Sequence, residues 1–124
     1  CSNILVTPGA SADGRAMVSY NADEASLFGA VSHWPAKTSP PGALRDVYSW
    51  DSGVLLGRIP EWNWTLNVMG NANEAGVVIS ETTHGGLGIL SNTGKNASDG
   101  NIIDYGSLIW LTLQRARTAR EAID

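Results

Sequence analysis

Cys1 is the one cysteine in a chain of 124 residues, and it carries a thiol beside an α-amine. A thiol attacks as thiolate, with an ordinary pKa of about 8.5, and an α-amine titrates near about 7.7 to 8.0. Within one residue the amine can take the thiol proton, directly or through a water, and return it to a leaving amine. The N-terminal threonine nucleophile works on the same idea, and no histidine is needed. Initiation leaves Met, so this reading expects a segment upstream of Cys1 to be removed. Two plainer readings compete. A fragment boundary makes Cys1 an ordinary strand residue. A lipid-modified N-terminal cysteine, also followed by small polar residues such as Ser2 and Asn3, makes the chain a lipid-anchored or secreted binding module. The apolar run Ile4, Leu5 and Val6 leaves no flexible tether before the fold, which sets the nucleophile ahead of the anchor.

A carboxylate near the amine would orient it and tune its proton affinity. Asp23 is placed to reach back to Cys1, whereas Asp13 belongs to a turn at the far end of the same hairpin. The plainer fate of Asp23 is a solvated loop carboxylate or a helix N-cap. Glu81 follows the apolar "VVIS" and is either buried and paired or faces the site, where it can read a substrate's free amine. The hydroxyl or backbone N–H of Thr83 is a candidate oxyanion donor, although Thr82 and Thr83 are also simply good strand formers.

These residues need elements to hold them. Ser2 to Thr7 is expected as a strand, "PGASADG" as a turn and Arg15 to Tyr20 as the return strand, with Cys1 at the open end of the hairpin. Residues 33 to 46, with Pro35, Pro40, Pro41 and Gly42, are expected as a surface loop. Val47 to Trp50, Trp64 to Met69 and Gly76 to Thr83 are strand candidates. The last should lie beside the Cys1 strand. After a Gly-, Asn- and Ser-rich loop, Tyr105, Leu108, Ile109, Thr112, Ala116 and Ala119 recur at helical steps as one apolar face. Thr118 and Glu121 form a capping box that starts a new helix. Six residues remain beyond Thr118, too few for a stable isolated helix. Residues 1–124 are therefore expected to be an incomplete domain, completed by the rest of the same polypeptide or by another chain.

Composition excludes several classes. The net charge of −4 supplies no basic patch for nucleic acid or anionic membranes. No apolar run approaches the roughly 20 residues of a membrane span. A single Cys permits no internal disulfide, and His33 and His84 are too few and too far apart for a metal cluster, so no metal or other cofactor is expected. "GNANEAG" lacks the strand–GxGxxG–helix context of a dinucleotide site. Asn63 and Asn96 begin glycosylation triplets, a pattern common by chance that only hints at a secretory route, and a secreted, periplasmic or lysosome-like location is slightly favoured over a cytoplasmic one. The five tryptophans, Trp34, Trp50, Trp62, Trp64 and Trp110, line either a cleft or the core.

Four segments together resemble peptidase family C69, the dipeptidases among the N-terminal nucleophile hydrolases. They are "CSNILVTPGASADGRAMVSYNAD", "LGRIP" (Leu56 to Pro60), "NEAGVVISETTHGG" (Asn73 to Gly86) and "IIDYGSLIWLTLQRARTAREAI" (Ile102 to Ile123), in the family's order. The resemblance implies an α+β fold of four αββα layers, incomplete in this chain, with residues 1–124 as the N-terminal part of a single catalytic domain, and a thiol nucleophile exposed by autoprocessing. It also implies a dipeptide substrate. Cys1 matches the family nucleophile, and Asp23 the aspartate that holds the nucleophile's amine in related amide hydrolases. Tyr20 stands where many relatives carry arginine, so the arginine's contact with substrate is not carried over. His84 falls where an apolar aromatic is expected, and the loop around Asn96 is a local elaboration. Other branches of the superfamily imply a rival activity, hydrolysis of a non-peptide acyl-amine. A homo-oligomer is left open.

Overall fold

The first residues fold as a hairpin because two β-branched and apolar runs flank a segment of turn formers. In a computed structural model that describes residues 1–26, 28–84, 87 and 102–124, β1 (Ser2–Val6) pairs antiparallel with β2 (Met17–Asn21) in a register from Ser2↔Asn21 to Val6↔Met17. A short 3-10 turn at Pro8–Ala10 begins the connection, and Gly14, at φ 71°, lets the chain reverse. Asp13 is used locally. Its carboxylate accepts from the Ser11 hydroxyl at 2.6 Å and the Arg15 N–H at 3.1 Å, and these bonds hold it below the usual carboxylate range.

The chain divides into two compact units, one of Cys1–Ala30 with Ser80–His84 and the other of Val31–Ile79 with Gly85–Asp124. In the first unit the hairpin's apolar side chains stand largely in solvent, Ile4 at 65% and Leu5 at 69% exposure. The strand expected over Gly76 to Thr83 does not form as one. Val78 makes a single bridge to Ala72, and Ser80–His84 carry no ladder. Side chains take the place of the ladder. The Asn3 amide donates to the Glu81 carbonyl at 2.8 Å, and the Thr82 hydroxyl donates to the Cys1 carbonyl at 3.2 Å.

Among the described residues the second unit is a mixed body of short strands and two helices, α+β in class. Where a loop was expected over residues 33 to 46 there are β3 (His33–Trp34), β4 (Lys37–Thr38) and the start of β5 (Leu44–Tyr48). Pro35, Pro40 and Pro41 occupy the breaks between them, where no ladder donor is needed. β5 pairs with β6 (Leu55–Pro60), a strand that no alternating pattern announced, with an irregularity between Val47 and Tyr48. The expected strand Trp64 to Met69 is cut in two. β7 (Trp64–Thr65) pairs with β4, and β8 (Val68–Met69) pairs with β3 and with β9 (Ala72–Asn73). Between them the Leu66 N–H turns to the Gln114 carbonyl at 2.9 Å, and the Asn67 side chain accepts from the Ala36 N–H at 2.8 Å.

Helix α1 (Tyr105–Leu113) is capped by Asp104, whose side chain accepts from the Ser107 N–H. Its buried face is Gly106, Ser107, Ile109, Leu111 and Leu113, while Leu108 is 58% exposed. The helix "YGSLIWLTL" is apolar around most of its girth, so spacing alone could not choose the face. Contact chose it: a Cβ at Gly106 would lie 2.7 Å from the Trp50 side chain. The helix stops six residues before Ala119, because Asn73 takes up its last carbonyls. The Asn73 amide donates to Leu113 O at 2.8 Å and Ala116 O at 2.7 Å, and its oxygen accepts from the Val77 N–H at 3.0 Å. Val68, Val77, Ile109 and Leu113 form the core there, with Trp34, Ile79, Trp110 and Ala122 packed against it. Helix α2 (Ala119–Ile123) begins at the capping box as expected, the Glu121 N–H reaching Thr118 Oγ1 at 3.1 Å. No helix among the described residues is long and apolar enough to cross a membrane.

Candidate functional site

Hairpin register decides what surrounds Cys1. One step beyond the Ser2↔Asn21 pair, the chain after β2 comes level with Cys1, and Asp23 Oδ2 lies 3.2 Å from the Cys1 nitrogen. The Ser2 hydroxyl donates to the same oxygen at 3.1 Å, and the Asn21 amide donates to Oδ1. The Cys1 ammonium first, and then the Ser2 hydroxyl, hold the Asp23 carboxyl below the usual range. Asp23 thus orients the amine, with its own side chain 49% exposed.

The sulfur has a different carboxylate. The Cys1 thiol donates to Glu81 Oε1 at 2.9 Å, and the Tyr20 hydroxyl donates to the same oxygen at 2.8 Å. The Thr83 hydroxyl donates to Glu81 Oε2 at 3.3 Å. Glu81 therefore faces Cys1 instead of a paired interior. Tyr20 is pushed up to about 12, by burial first and then by the hydrogen bond and charge of Glu81, so at neutral pH it is a donor. The thiol side chain keeps 15% of its surface.

Sequence reasoning named Cys1, Tyr20, Asp23, Glu81 and Thr83, and the structure brings all five together. Thr83 aims its proton at Glu81. Ser2 and Asn3 were missed as members of the cluster. The signal for Asn3 was present: Asn3 pairs directly with Tyr20 across the hairpin, so both project from one face, and both bind residue 81, one at its carbonyl and one at its carboxylate.

The other candidates lie elsewhere. Asn63 is exposed beside β7, and Asn96 lies outside the described residues. His84 is exposed at the end of the first unit. Among the described residues no group of three or more His, Cys, Asp or Glu can hold a metal ion. The tryptophans divide. In the second unit Trp34 and Trp50 each stack on Trp110, with ring centres 4.7 and 4.1 Å apart, and all three line a cavity of about 340 Å³ with Val47, Leu111 and Arg45. Trp62 and Trp64 lie under the Arg115 and Arg117 guanidiniums at 5.6 and 5.1 Å.

Chemically, the first unit offers a thiol, an amine in the same residue, one carboxylate on the nitrogen and another on the sulfur. Comparison of the chain with protein-family models, with curated proteins and with solved structures returned no match.

Proposed function

We propose that the chain is the nucleophile-bearing part of a cysteine N-terminal nucleophile hydrolase of the four-layer αββα kind, and that it cleaves the amide bond of dipeptides. One observation carries the reading. The two reactive groups of Cys1 meet two separate carboxylates, the nitrogen 3.2 Å from Asp23 and the sulfur 2.9 Å from Glu81. Further support is the resemblance of four segments, in order, to the C69 dipeptidases. The reading requires a free amine at Cys1 in the working protein.

In its deprotonated form the Cys1 amine takes the thiol proton, and the thiolate attacks the scissile carbonyl carbon. A C–S bond forms and the carbonyl electron pair moves to oxygen. Collapse breaks the C–N bond, and the departing amine receives the proton held by the Cys1 nitrogen. Water then adds to the thioester, releasing the first amino acid and restoring the thiol. Asp23 keeps the amine aimed at the sulfur throughout.

The test is Cys1→Ser in the full-length protein, assayed on a panel of dipeptides and on N-acyl amines. Loss of a nucleophile removes roughly 10³- to 10⁶-fold of the rate, and a hydroxyl is far harder to deprotonate than a thiol. Unchanged dipeptide turnover rejects the assignment, and turnover confined to the N-acyl amines moves it to the rival amide class.

A further inference from the structure

Among the described residues Glu81 has no cation of its own. Its carboxylate accepts from the Cys1 thiol, the Tyr20 hydroxyl and the Thr83 hydroxyl, all neutral donors. None of the ion pairs among the described residues includes it. The nearby ammonium, that of Cys1, belongs to Asp23. The Glu81 carboxylate is half-buried, and a charge-assisted bond to a cation is about twice as strong as a neutral one. We propose that Glu81 binds the free α-ammonium of the substrate, so that the site takes peptides whose N-terminus is unblocked. This rests on the reading of Cys1 as the nucleophile.

Geometry accommodates the ammonium of the residue being cleaved. In such a residue the nitrogen is two bonds, each of about 1.5 Å, from the scissile carbonyl carbon. Reacting atoms approach to about 3 to 3.5 Å before attack. With the sulfur 2.9 Å from Glu81 Oε1, the four-cornered path from sulfur to carboxylate to ammonium to carbonyl carbon closes at ordinary contact distances. An ammonium also offers three donors, enough to replace the protons that Cys1 and Tyr20 now direct at Oε1.

Binding and activation are then linked. The Glu81 charge beside the sulfur opposes formation of a second negative charge there. An arriving ammonium neutralises it and frees the thiol to give up its proton to the Cys1 amine. An N-acylated peptide brings no positive charge, so it gains neither the contact nor the activation.

The experiment uses the full-length Cys1→Ser protein, which holds ligands without turnover, and titrates it calorimetrically with glycinamide and N-acetylglycinamide. Glycinamide is expected to bind at least about tenfold more tightly, the scale of one hydrogen bond to a charged group. Adding Glu81→Gln is expected to abolish that preference. Equal affinity for the two probes with Glu81 intact overturns the proposal, so misfolding of the double variant cannot conceal its failure. A preference that survives Glu81→Gln overturns it as well. Both results are read from binding. Absence of dipeptide cleavage by the wild-type protein, in contrast, removes the hydrolase reading and leaves the ammonium site to be judged on these titrations.

Discussion

Glu61 and Glu81 are both drawn into hydrogen-bonded clusters, and the clusters differ in charge. In the second unit the Glu61 side chain is almost wholly covered, 2.6 Å from Lys37 Nζ and 3.8 Å from Arg45 Nε. Burial pulls its carboxyl upward, but the Lys37 hydrogen bond and the Arg45 charge outweigh that and hold it below the usual range. In the first unit Glu81 meets a thiol, a phenol and a hydroxyl. The contrast extends to packing. The second unit closes Leu113 and Val68 completely from solvent, while the hairpin of the first unit leaves Ile4 and Leu5 exposed. One region pairs its buried carboxylate with cations and closes a small apolar core. The other gathers reactive groups with charge still uncompensated, which is what a site needs and a core avoids.

The largest expected effect falls on the reactive region. Acetylating the Cys1 nitrogen, or keeping one residue upstream of it, turns the amine into an amide with no available lone pair. General-base assistance is worth about 10²- to 10⁴-fold, so dipeptide turnover should fall on that scale while the thiol still alkylates. An N-terminally blocked protein, verified by mass, that keeps its normal rate would place the base elsewhere.

Paired truncations test the packing contrast. Leu113→Ala empties a fully buried position and should cost about 2 to 5 kcal/mol in a denaturant melt. Leu5→Ala, at an exposed position, should change the same melt by no more than about 0.5 kcal/mol. Equal costs would break the distinction between the units.

A milder effect is expected from Asp23→Asn, which leaves the amine present but less firmly held. Turnover should fall about tenfold, the scale of one hydrogen bond to a charged group. Because the folded carboxyl sits below its ordinary value, its contribution is present above about pH 3.9 and is lost as pH falls through the lower folded value. In wild type the Asp23 anchor therefore persists into acid, and the variant should lose that part of the acidic limb.

The smallest effect is spectroscopic. Tyr20, pushed up to about 12 by burial and Glu81, contributes stability below about pH 10 that disappears as pH rises through the folded value. The phenolate absorbance difference between wild type and Tyr20→Phe should therefore appear near pH 12. Glu81→Gln should move it only part of the way toward 10, since burial remains. A difference already complete by about pH 10.5 would separate Tyr20 from Glu81.

What the amino-acid order determined by itself is local. Strand runs on either side of Pro8 to Gly14 are enough to make the hairpin, and its register carries Asp23 back to Cys1 over a span of 22 residues. Thr118 and Glu121 are enough to start α2, because a cap needs only neighbours three residues apart. Tertiary structure decided the rest. Trp64 to Met69 alternates like one strand, yet Gln114, some 50 residues on, captures the Leu66 N–H and helps divide it. The buried face of α1 was chosen by Trp50, and its end is tied by Asn73, neither of which its own spacing reveals. Glu81 was legible as a carboxylate after an apolar run, but whether it met a cation or a thiol depended on which segment returned to the hairpin. That meeting joins residues 80 positions apart through the Asn3 amide and the Thr82 hydroxyl. Side-chain hydrogen bonds of this kind leave no period in a sequence, since they need one donor and one acceptor at a distance that only folding sets.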